Sequence, residues 1–192
     1  MSQKIILIIG LGNIGKRYLE GILKVKYKLK IYLIDININA LNDLKKIIDK
    51  ECDNNLFNKK IIFKSSIYEI NEKVIDLAIL TTTADVRTKL INTIVKSFKV
   101  NYWILEKLLA QSVEQINTIE NLIKTKSSCW VNTPRRSMKW YSEIKKIITL
   151  QKTPLNFKIT GGKWGLACNA IHFLDLVAWF TDSEIDSLVV KN

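Results

Sequence analysis

Residues 4–15 read KIILIIGLGNIG. A short, β-branched, fully apolar stretch runs without a gap into three glycines spaced GxGxxG. An amphipathic segment, 13–26, follows at helical spacing. Few folds accept this junction, because it turns a buried strand directly into a helix. Gly10 permits the tight turn, Gly12 leaves the backbone open to an approaching group, and Gly15 lets helix and strand pack closely. Free N–H groups and the helix dipole at the start of that helix favour an anion. The loop formed by Gly10, Gly12, Asn13, Ile14 and Gly15 therefore has the chemistry of a pyrophosphate cradle.

The rest of the chain repeats the strand–helix alternation. Apolar strands are expected at 30–35, 60–64, 74–83, 101–106 and 128–132, with amphipathic helices at 39–51, 85–98 and 112–126. Ser112 followed by Gln115 is a capping-box pattern that fixes the start of the last of these helices. Continuously apolar strands alternating with helices imply a parallel sheet covered on both faces. The fold class is α/β, with an N-terminal Rossmann doubly wound parallel sheet. Pro134 interrupts after the sixth strand, giving one domain over residues 1–133 and a second over 134–192. In the second, a helix (137–149), a strand (155–160), a helix (168–180) and a strand (185–190) read as the beginning of an α+β open sheet.

Asp35 closes the second strand, about 20 residues beyond the last glycine, where a carboxylate meets ribose hydroxyls. It repels a 2′-phosphate, and Ile36 and Asn37 supply no arginine to hold one. NAD is thus expected in preference to NADP. A second candidate site starts at Glu106-Lys107, two charges that end the apolar run YWIL. Ligands of open α/β sheets bind outside the carboxyl ends of the strands, so Lys107 is either a site residue or a solvated helix-start residue. His172, the single histidine, shares a helix face with Cys168 and Asp175 at i, i+4, i+7 spacing. It is either a satisfied core residue or a general base.

Composition excludes several classes. Hydrophobic residues make up 47% and charged residues 25%, as in ordinary globular proteins. Cys52, Cys129 and Cys168 are an odd number without a CxxC pair, which implies free thiols in a reducing compartment. The apolar N-terminal run is too short to span a bilayer and lacks a signal cleavage site, so a cytoplasmic protein is expected. The net charge of +12 is spread over scattered lysines rather than runs, so no nucleic-acid or membrane partner is expected. One histidine, one aspartate and a distant cysteine are a poor metal set.

The motifs together resemble the glucose–fructose oxidoreductase / inositol dehydrogenase family (Gfo/Idh/MocA). Thr82-Thr83-Ala84-Asp85-Val86-Arg87 stands at the family's Thr-Pro-x-x-x-His, with Thr83 for proline and Arg87 for histidine. Glu106-Lys107-Leu108 stands at its Glu-Lys-Pro, Arg135-Arg136 at its arginine pair, and Cys168 to Asp175 at its Asp-x-x-x-His-x-x-Asp. The resemblance implies a Rossmann domain followed by an open-sheet substrate domain. It also implies an NAD-dependent oxidoreductase moving a hydride to or from a hydroxyl or keto carbon of a sugar, sugar derivative or cyclitol. Thr82 and Glu106 would join the cofactor site, while Lys107, His172 and Asp175 would be catalytic, His172 as base, Lys107 on the hydroxyl oxygen and Asp175 orienting. Family members are longer, so a C-terminally truncated chain is expected, lacking most of the second sheet. Homo-oligomer formation through that sheet follows if the rest of it is present. The competing expectation is a truncated, catalytically silent nucleotide-binding protein, with Cys168 in the place of an aspartate.

Overall fold

The structure, a computed structural model, describes residues 2–50, 58–124, 127–151, 154–163 and 165–189. It divides into two units, Met1–Val131 and Asn132–Asn192. In the first, strands β1 (Lys4–Ile9), β2 (Leu29–Ile34), β3 (Lys59–Lys64), β4 (Val74–Leu80), β5 (Lys99–Glu106) and β6 (Ser128–Asn132) form one sheet. Its order is β3-β2-β1-β4-β5-β6. The β1–β2, β1–β4, β2–β3 and β4–β5 pairings are all parallel. Helices α1 (Asn13–Leu23), α2 (Ile38–Lys50), α3 (Ala84–Ser97) and α4 (Val113–Ile123) connect them. The doubly wound parallel sheet expected from the sequence is therefore present, its order reversing between β1 and β4.

Two apolar clusters show why the inner parts of the strands are hydrophobic on both faces. Ile6 and Ile8 of β1 join Ile31 and Leu33 of β2, Leu19 of α1 and Leu41, Leu44 and Ile48 of α2. Leu7 and Ile9 join Tyr32 and Ile34, Ile91 and Ile94 of α3, Trp103 and Leu105 of β5, and Ile119 and Ile123 of α4. Successive side chains point to opposite faces, so a strand buried on both must be apolar at every position. Ser112 accepts from the Gln115 N–H at 3.3 Å, and the Gln115 side chain accepts from the Gln111 N–H at 3.0 Å. That is the reciprocal cap predicted from Ser112 and Gln115, displaced by one residue on the return bond.

The described residues of the second unit carry helices and, apart from Asn132 at the end of β6, no strand. A 3₁₀ turn, Pro134–Ser137, leads into α5 (Lys139–Gln151), and α6 (Leu166–Thr181) follows. Tyr141, Leu176 and Phe180 form their buried cluster. The strands expected at 155–160 and 185–190 are absent: 154–161 and 183–189 have no regular structure, and residue 190 lies outside the described residues. Apolar alternation alone does not make a strand, since extended backbone needs a partner for its ladder bonds. Phe157 instead stacks on Phe180, with ring centres 6.0 Å apart. Among the described residues no helix is long and apolar enough to cross a membrane. Cys129 and Cys168 are free thiols, while Cys52 lies outside the described residues.

Trp103 is fully buried at the centre of the second cluster, and its indole N–H donates to Ser127 Oγ at 2.9 Å. Trp103→Ala should cost about 3–5 kcal/mol of unfolding free energy in a urea titration. A loss below about 1 kcal/mol would contradict this packing.

Candidate functional site

The first site is built on the strand ends at the point where the sheet order reverses. Gly10 adopts φ +93°, a conformation that excludes ordinary side chains, and a Cβ there would meet the Thr81 and Thr82 backbone at 3.1 Å. A Cβ on Gly15 would lie 2.0 Å from the Gly10 carbonyl oxygen, inside any tolerable contact. A Cβ on Gly12 would meet nothing within 4 Å. Gly10 and Gly15 are therefore required by the fold, and Gly12 leaves open space for a ligand. Gly12 is also the N-cap of α1, whose first turn holds no acidic residue and no side-chain cap. No side chain of the helix's own first turn caps that positive end.

Asp35 ties this loop to the end of β2. The Leu11 N–H donates to one carboxylate oxygen at 2.6 Å and the Asn37 N–H to the other at 2.8 Å. Each oxygen keeps further acceptor capacity. Beside Asp35 opens a cleft of about 370 Å³, bordered by Ile36, Ser65, Tyr68, Thr82 and Lys89, within the range of ligand pockets. The Thr82 hydroxyl oxygen is buried and has no hydrogen-bond partner in the structure, a condition that buried polar groups rarely tolerate without a ligand or water. Thr81, which the sequence reading passed over, donates its hydroxyl to the Ile9 carbonyl at 3.2 Å and also to the Gly10 carbonyl. It stitches the end of β4 to the glycine turn.

At the end of β5, Glu106 is buried and accepts from the Tyr18 hydroxyl at 3.1 Å. Burial, then the charge and hydrogen bond of Glu106, push the Tyr18 phenol well above its ordinary pKa, so it stays a neutral donor. Lys107 is partly buried, and the peptide bond that follows it is cis. Arg87 is almost fully buried. Its guanidinium donates to the carbonyls of Thr82, Glu106, Leu108 and, at 3.0 Å, Leu109. Desolvation draws its pKa below the ordinary arginine value, opposed by the Glu106 and Asp85 carboxylates. The sequence carried a signal for Arg87: with Ile91 and Ile94 it makes an i, i+4, i+7 set, placing a charge on the buried stripe of α3.

The other candidates belong to the second unit. Cys168, His172 and Asp175 all lie on α6. Cys168 is exposed, whereas His172 and Asp175 are partly buried. Asp175 takes a two-pronged ion pair from Arg136, the Nε bond measuring 2.7 Å. That hydrogen bond holds the Arg136 guanidinium above its ordinary pKa. Arg135 donates to the Tyr141 hydroxyl at 3.0 Å and stands 4.3 Å from the Phe173 ring centre. Both arginines of the sequence pair are thus engaged in holding the 134–137 turn to α5 and α6.

This arrangement has counterparts among solved structures. The myo-inositol 2-dehydrogenase of Lactobacillus plantarum superposes with a TM-score of 0.71 at 18% identity, over 93% of this chain and 56% of that one. The chain shares the fold of the inositol dehydrogenases. The scyllo-inositol dehydrogenase of Lactobacillus casei, solved with NAD(H) and scyllo-inositol, gives 0.69 at 18% identity over the same shares. A super-repressor mutant of Gal80p from Saccharomyces cerevisiae gives 0.70 at 14% identity, over 94% of this chain and 53% of that one. This chain spans little more than half the length of these neighbours. No family model and no curated protein matches the sequence.

The two glycines with different surroundings separate fold from binding. Gly15→Ala should destabilise the protein by about 1–3 kcal/mol in urea titrations. Gly12→Ala should leave stability within about 0.5 kcal/mol of the parent yet weaken NADH binding about tenfold or more by fluorescence titration. Equal behaviour of the two variants would contradict the division.

Proposed function

We propose that this chain carries the NAD site of an oxidoreductase acting on a hydroxyl or keto carbon of a sugar, sugar derivative or cyclitol. The observation that supports it most is the glycine loop itself, where a Cβ on Gly12 would meet nothing, together with Asp35 bonded to the Leu11 N–H and the unpartnered Thr82 hydroxyl. Backbone N–H groups at the start of α1 hold the pyrophosphate. Asp35 accepts from the ribose hydroxyls and disfavours a 2′-phosphate. NAD, when bound, supplies the acceptor for a substrate hydride. Inositol dehydrogenases of the same fold, solved with NAD(H) and an inositol, support that cofactor and a polyol substrate.

In this reading Lys107 donates a hydrogen bond to the reacting oxygen and stabilises negative charge as it develops there. His172 takes the hydroxyl proton as general base. Asp175 orients the substrate or the imidazole. The chemistry requires no metal, and the protein acts in the cytoplasm.

A second reading is a nucleotide-binding protein without turnover. Two observations favour it: Cys168 stands in the place of an aspartate, and the same fold occurs in a super-repressor mutant of Gal80p. The two readings part on turnover by the parent protein, and one substitution tests the role of Lys107 in it. Lys107→Ala should leave NADH affinity within about threefold of the parent. It should also lower NAD⁺ reduction with myo-inositol or scyllo-inositol about 10²-fold or more. Undiminished turnover would remove Lys107 from the mechanism, and a parent protein that binds NADH but reduces no NAD⁺ would favour the second reading.

A further inference from the structure

We propose that Arg87 is a positioning residue that sets the conformation of the Lys107 segment and joins it to the cofactor side of the site at Thr82. The inference rests on the reading of Lys107 given above. Its starting point is the cost of the arrangement. A guanidinium buried on the inner stripe of α3 loses its hydration and must recover it from protein acceptors. Those acceptors are backbone carbonyls rather than a carboxylate. Two of them, Glu106 and Leu108, flank Lys107 directly, and Leu109 is one residue further on. The fourth, Thr82, belongs to the segment leaving β4 and lines the cleft beside Asp35.

The four carbonyls come from the C-terminal ends of the paired strands β4 and β5, past the last register pair, Leu80 with Leu105. A single planar fork of donors spans them. The same fork leaves the segment little freedom, because Lys107 sits between two residues whose carbonyls are both fixed. Lysine has the charge but only a compact cluster of three donors, so it cannot reproduce the geometry. Glu106 adds a second tether from the side chain, through Tyr18 on α1. The lysine is thereby referenced both to the helix that starts at the glycine loop and to the strand end that bears Thr82.

The test compares the parent with Arg87→Lys and Arg87→Ala, with and without millimolar guanidinium. Amide hydrogen exchange is followed over 106–110 and over β1 and β2. In both variants exchange over 106–110 should rise about tenfold or more while β1 and β2 keep parent protection. NADH affinity should stay within about threefold. For myo-inositol oxidation, kcat should fall about 10²-fold with KM nearly unchanged, as expected for misplacement rather than lost binding. Guanidinium should restore protection and turnover to Arg87→Ala. Parent-like exchange over 106–110 would overturn the proposal. So would equal acceleration in β1 and β2, which would make Arg87 a general stability residue, or a loss of NADH affinity matching the loss of turnover. Should the parent itself reduce no NAD⁺, the reading of Lys107 as catalytic fails, and the exchange pattern and its rescue still decide what Arg87 does.

Discussion

The contact between Gly15 and the Gly10 carbonyl is the constraint on which the rest of the site depends. It presses the first turn of α1 against the end of β1 so closely that not even a methyl group fits between them. With α1 seated there, its N-terminal N–H groups face the crevice where the sheet order reverses. The Leu11 N–H comes within reach of Asp35, and Thr81 reaches across from β4 to the turn. Three strands, β1, β2 and β4, are thus locked to one loop by one glycine pair, one carboxylate and one hydroxyl. Binding residues placed by such a frame need little reorganisation when an anion arrives.

A second layer of polar contacts extends the frame to β5. Tyr18 from α1 meets Glu106, and Arg87 from α3 collects the carbonyls around Lys107. Arg87 and Glu106 are buried, Tyr18 is half-buried, and the bonds named here all lie within the first unit. In a low-dielectric setting such a network is costly to leave incomplete, which makes the strand end bearing Lys107 a specified conformation rather than a loose loop.

The parallel sheet was legible because its signal is physical and local. Strands such as KIILII and LKIYLI are apolar apart from Lys4 and Lys30 near their starts, since both faces are covered, and GLGNIG leaves few other ways to turn. Asp35 was legible by its distance from the glycines. Arg87 was visible as a departure from a family pattern, and its place on the apolar stripe of α3 hinted at burial, yet no sequence pattern gives the carbonyls it reaches. Those acceptors are backbone atoms, which carry no residue signature. The second unit was less legible for a related reason. The alternation in LNFKIT reads as a strand, but pairing depends on a neighbour that the segment itself does not encode, and Phe157 packs on Phe180 instead. The pairing of Arg136 with Asp175 likewise joins residues far apart in sequence.

Calorimetric titration of the protein with NAD⁺ and with NADP⁺ tests the cradle most directly. The expected result is one site, with NAD⁺ bound about tenfold or more tightly than NADP⁺, the preference falling away in Asp35→Ala. No measurable binding of either nucleotide, or a preference for NADP⁺, would contradict the assignment of the glycine loop and Asp35.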